Sequence, residues 1–202
     1  MTILAAPSVS QFFLEAVGDA IRVRGVEVTE GAASYLVALL ADYVHPDRRA
    51  GEALDRPLTL LFDEAVRAPD PAERFERLRT LGDGVLYGCG FFEEHFAARG
   101  VDPKYLRGLG TRAYGAASSM LVRNRTDEAA GPDLFAELSR KFDGFVDVLA
   151  DVADATVAMG TETSRGLVKV YERWLRTGSE RLAEALTARG LVPTRGAKGI
   201  VQ

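Results

Sequence analysis

The sequence has one cysteine and two histidines in 202 residues, and these scarcities exclude much site chemistry. Cys89 has no partner for an internal disulfide, and a single cysteine in an apolar, glycine-rich stretch suits a reducing compartment. With His45 and His95 as the only imidazoles, a Cys/His zinc site cannot be assembled without several carboxylates. A ferritin-like di-iron centre needs two Glu-x-x-His pairs on facing helices. Here Phe92 stands three residues before His95 and Asp42 three before His45. There is no G-x-x-x-x-G-K-[ST] phosphate loop and no G-x-S-x-G nucleophile turn. No segment alternates apolar and polar residues as a strand would.

Basic excess is lacking too. A net charge of -4 and a pI near 5.3, with Lys and Arg spread along the chain, argue against nucleic acid as a partner. The longest apolar stretch, residues 31–44, is interrupted by Ser34 and Asp42 and falls short of the roughly 20 residues that span a bilayer. Residues 1–10 carry neither a basic n-region nor a lipid-anchor motif. The expectation is a cytoplasmic protein with no membrane partner.

What is present is an ordinary globular composition, 47% hydrophobic and 27% charged, long enough for one full core. Gly, Pro and capping residues divide the chain into about seven segments with helical spacing of apolar residues. Helix 1 is expected from Ser8 to Gly25, helix 2 from Thr29 to Pro46, and helix 3 from Leu58 to Ala68. Asp70, Pro71 and Glu73 form a clear start for helix 4, which runs to Arg99 on a seam of Phe75, Leu78, Gly82, Val85, Cys89, Phe92 and Phe96. Helix 5 starts at Asp102 and Pro103, helix 6 spans residues 133–159, and helix 7 follows Gly160 and Thr161 to Gly190. Helix 7 should bury Leu167, Val168, Tyr171, Trp174, Leu175 and Leu182. Residues 45–57 and 124–132 read as polar loops.

This pattern predicts an all-α fold: a single-domain multi-helix bundle over residues 1–190 with mostly antiparallel neighbours, and a weakly ordered tail over 191–202. The run Tyr171, Glu172, Arg173, Trp174, Leu175 resembles uncharacterised bacterial all-α proteins over the C-terminal third. The resemblance implies no activity.

Two features rise above this background. Gly82, Gly84, Gly88 and Gly90 lie inside helix 4, where each interior glycine costs about 1 kcal/mol relative to alanine. They imply either a tight crossing with the small face of helix 5 (Gly108, Ala113, Gly115, Ala117) or a ligand lying close to the backbone. The ligand reading is a small molecule or heme-like tetrapyrrole between helices 2, 4 and 5, of heme-oxygenase-like size and helix content. Its candidate groups are Tyr87, Glu94, His95, Arg112 and Tyr114, with His95 or His45 as axial ligand. The second feature is a pair of charge rows, Asp143, Asp147, Asp151, Asp154 and Arg165, Lys169, Arg173, Arg176. At about 100° per residue both point away from their helices' apolar faces. They suit solvated surface, or a self-complementary surface between two copies. No catalytic group is forced, so the leading expectation is a non-enzymatic protein acting through self-association or protein partners, with a small-molecule binder as the alternative.

Overall fold

The computed structural model describes residues 9–43, 58–123 and 133–194. Among them the protein is all-α, without a strand. The order is α1 (Val9–Arg24), α2 (Glu30–Tyr43), α3 (Leu58–Arg67), α4 (Pro71–Ala98), α5 (Pro103–Arg123), α6 (Leu134–Arg140) and α7 (Phe142–Ala158). A 3-10 turn (Met159–Glu162) then leads to α8 (Ser164–Thr177) and α9 (Glu180–Thr187). His45, both polar loops and residues 195–202 lie outside the described residues. None of the described helices is long and apolar enough to cross a membrane.

Nine helices stand among the described residues where the sequence suggests about seven, because two long segments are each broken once. The segment from Asp133 breaks at Lys141 (φ -105°, ψ 20°), which turns Phe142 into the space over Gly110. The C-terminal segment breaks at Gly178, whose φ of 69° is the left-handed helix stop that favours glycine. Other boundaries follow their signals. Asp70 accepts from the Glu73 amide at 2.9 Å, Asp133 accepts from the amides of Phe135 and Ala136, and Gly100 closes α4 with φ 77°.

The chain forms two compact units, Met1–Ala150 and Asp151–Gln202. In the first, α5 is central and packs most extensively on α4. Gly82 lies against Tyr114, and Glu93 pairs with Arg107, so α4 and α5 run antiparallel. On another side of α5, Ser139 donates to the Thr111 carbonyl and Phe142 lies on Gly110. Leu78, Leu81, Val85, Leu86, Leu106, Leu109, Phe145 and Leu149 fill the core. Glu137 ties the start of α2 to α6, because its carboxylate accepts from the Thr29 amide (3.1 Å), the Thr29 hydroxyl (2.5 Å) and Lys141 (3.0 Å). Burial opposes its ionisation, but these bonds outweigh that and hold its pKa below the usual glutamate value.

In the second unit Val170, Trp174, Leu182 and Leu186 form the core, with Val157, Ala158, Leu167 and Ala183 packed around it. Thr163 caps α8 by accepting from the Gly166 amide at 3.0 Å, so the chain reverses at Thr163 and not at Gly160. The Gly166 Cα lies over Gly160, where a side chain on Gly166 would run into the Gly160 carbonyl.

Glycines mark the closest packing: Gly82 and Gly90 belong to the cluster that the sequence singles out, and Gly110 does not. A Cβ at Gly82 would stand 2.6 Å from the Tyr114 ring, one at Gly90 would overlap Leu149, and one at Gly110 would overlap Phe142. Gly84 and Gly88 are buried, while Gly108, expected in the small face, looks onto open space. Gly110→Ala should therefore destabilise the protein by about 1–3 kcal/mol through overpacking. Gly108→Ala should stabilise it by about 0.5–1 kcal/mol through helix propensity. Urea unfolding of the two variants checks the pair; equal midpoints would show that α5 does not meet Phe142 as described.

Candidate functional site

Two places carry more than packing requires: a polar cluster within the first unit, and one face of α8 in the second. The cluster begins with spacing. Arg79, Asp83, Tyr87 and Phe91 recur every four residues along α4 and so share one face. Tyr35 and Tyr43 on α2 lie beside it. The α2 and α4 backbones do not pack closely, and tyrosine side chains span the space between them. Tyr35 Oη donates to Asp83 Oδ1 at 2.6 Å, and Tyr114 Oη from α5 donates to the same oxygen at 2.7 Å. The neighbouring rings are stacked, Tyr43 on Tyr87 at 4.0 Å and Tyr87 on Phe91 at 4.7 Å. Phe135 meets Tyr35 and Phe75 edge-on.

Burial dominates the electrostatics here. Enclosure raises the Asp83 pKa, against the hydrogen bonds from Tyr35 and Tyr114 and the charge of Arg79, which lower it. Burial, and then the Asp83 charge, pushes the phenols of Tyr35, Tyr43 and Tyr114 upward. These tyrosines stay protonated, and Tyr35 and Tyr114 act as donors. Arg79 bonds Glu76 at 3.1 Å through its terminal nitrogen, while its buried Nε has no acceptor.

The structure places the five residues expected to line a pocket as follows. Tyr114 is fully buried on Asp83, and Tyr87 is half-buried in the aromatic stack. Glu94 is half-buried further along α4, and Arg112 is exposed on α5. His95 is exposed about three turns past Asp83, with its ring edge-on to Phe96. Tyr87 and Tyr114 thus join the cluster, and His95 and Arg112 do not. The helical pattern puts Tyr35 and Tyr43 on the seam of helix 2 without assigning them to a site and passes over Arg79 and Asp83, although an aspartate between Gly82 and Gly84 on an apolar helix was a readable signal. Burial pushes the Cys89 thiol up to about 12, which leaves it inert. Among the described residues no group of three or more His, Cys, Asp or Glu is placed to hold a metal ion.

The second place corrects two expectations. Phe92, expected in the α4 seam, is 45% exposed, because a non-helical turn at that residue (φ -135°, ψ 22°) swings it off the buried face. On α8, Val168 (56%), Tyr171 (37%) and Leu175 (42%) are exposed, and Val170 with Trp174 forms the inward face instead. The apolar arc of α8 is wider than the unit's small core can cover. Arg165, Lys169 and Arg176 run along the far edge of the exposed stripe.

The charge rows are not wholly outward either. Asp154 is buried and bonded by Arg173 at 2.5 Å, because the 3-10 turn moves the reversal to Thr163 and rotates Arg173 inward. Asp143 and Asp147 gather on Arg107, which also binds Glu93. Its distances are 2.8 Å to Glu93, 3.4 Å to Asp143 and 3.7 Å to Asp147.

The raised Asp83 pKa has a definite sign. Between the usual carboxylate value of 3.8 and the higher folded value, the folded state keeps a proton that the unfolded chain has released, so stability falls as pH rises through that window. Asp83→Asn keeps an acceptor for both phenols and should remove this fall in urea titrations across pH. Asp83→Ala leaves the fully buried Tyr114 hydroxyl unpaired, at about 1–3 kcal/mol. Identical pH profiles for wild type and Asp83→Asn would contradict the assignment. Compared with protein-family models, curated proteins and solved structures, the chain matches none of them.

Proposed function

We propose that this protein is a non-enzymatic interaction protein whose contact surface is the exposed face of α8. The observation that carries this reading is the stripe Val168, Tyr171 and Leu175 at spacings of three and four, left open beside a basic edge on a helix whose adjoining apolar face is already packed. An apolar stripe with a polar rim is the composition of an interface core and its border. Removing its area from water on binding offers about 25 cal/mol per Å² before the costs of association. Val168→Asp with Leu175→Asp should leave far-UV circular dichroism unchanged, since both residues are exposed, and should abolish association of the full chain in sedimentation velocity. A wild type monomeric at every concentration, carrying no bound protein in native mass spectrometry, would overturn the reading.

A second reading, a small-molecule binder between α2, α4 and α5, is favoured by one observation: the Arg79 Nε is a buried donor without an acceptor beside the Asp83 carboxylate. A ligand acceptor there would offset a cost of about 1–3 kcal/mol. On this reading the protein isolated from cells carries a small molecule in native mass spectrometry, and Arg79→Leu loses it. A tetrapyrrole would add a Soret band. A mass equal to that of the bare chain, with no visible absorbance, counts against it.

A further inference from the structure

We propose that the occupant of the α8 face is a second copy of this chain, which presents the acidic surface around Arg107, and that the two copies exchange this contact reciprocally. The inference rests on reading α8 as an interaction face and goes further by naming the partner.

Charge is divided unevenly along the chain. Residues 1–150 hold 23 acidic and 17 basic side chains, and residues 151–202 hold six and eight, so the formal charges are -6 and +2. Arg195 and Lys198 supply the whole of that +2 and lie outside the described residues, so the charge match rests on the local rows. The division is also local. Arg107 serves Glu93, Asp143 and Asp147, so three carboxylates stand around one guanidinium on one patch. Exposed Phe92 stands next to Glu93 at the edge of that patch. The α8 face has the opposite balance, an exposed apolar stripe edged by Arg165, Lys169 and Arg176, with Glu172 the one acid among them.

Spacing matches as well as sign. Asp143 and Asp147 are four residues apart on α7, as Arg165 and Lys169 are on α8. Two helices meeting antiparallel would set Asp143 level with Lys169 and Asp147 level with Arg165, with apolar contact alongside. Every copy carries both surfaces, so two copies can satisfy each other twice and close as a two-fold dimer. Charges at such a rim govern association rate, register and salt dependence more than depth of binding. The dimer should weaken as added salt shortens the range of the attraction.

The test is a charge exchange in the full-length protein, read by sedimentation velocity at low and high salt. Asp143→Lys with Asp147→Lys, and separately Arg165→Glu with Lys169→Glu, should each weaken the dimer at least tenfold while circular dichroism stays unchanged. An equimolar mixture of the two variants restores both contacts and should recover the dimer. A wild-type dimer that persists in both charge variants but is lost in Val168→Asp with Leu175→Asp would overturn this proposal and leave α8 an interaction face with a different partner. A wild-type monomer that binds only a foreign protein through α8 would do the same. A monomer binding nothing would overturn both.

Discussion

The absence of side chains at Gly82, Gly90 and Gly110 sets the distances on which the larger unit depends. Tyr114 can lie across α4 only because Gly82 has no Cβ, and Phe142 can reach the centre only because Gly110 has none. Leu149 closes on Gly90 in the same way. Interior glycines weaken a helix, and here the loss is offset by aromatic area and dispersion contacts that no larger residue would admit. Protein interiors pack near crystal density, so such contacts accept no added methyl without strain.

That approach also creates the polar cluster. Once Tyr114 lies on Gly82, its hydroxyl reaches the adjacent residue, Asp83, and needs an acceptor because it is fully buried. Asp83 supplies one and takes a second bond from Tyr35 on α2, which links three helices at one oxygen. Glu137 and Asp83 behave oppositely for a clear reason. Glu137 meets an ammonium, a hydroxyl and an amide, which outweigh its burial and lower its pKa. Asp83 meets two phenols and a more distant guanidinium, which do not. The contrast lies in the partners.

The smaller unit is limited by size. Its helices bury one face of α8 and leave a second apolar stripe in water. A short helical unit has too little interior to cover a wide apolar arc, and surface left in this way is where association gains free energy.

Much of this was legible in the sequence. The all-α class follows from apolar spacing alone, and the starts at Asp70 and Asp133 and the stop at Gly100 follow from cap chemistry, which acts within a few residues. The break at Gly178 had a local signal as well, a glycine followed by Ser179. Tyr87 and Tyr114 could be named as polar groups of interest, but not their partner, because Tyr114 meets Asp83 across 31 positions of chain. Which glycines are crowded, Gly110 and not Gly108, depends on where Phe142 points, and that depends on a backbone break at Lys141 that no residue type announces. The inward turn of Arg173 to Asp154 depends on a 3-10 turn that alters the rotation of α8 about its axis. A periodicity of about 3.6 residues fixes which side chains share a face. Only packing decides which face is turned inward, because that choice minimises exposed apolar area over all the helices at once.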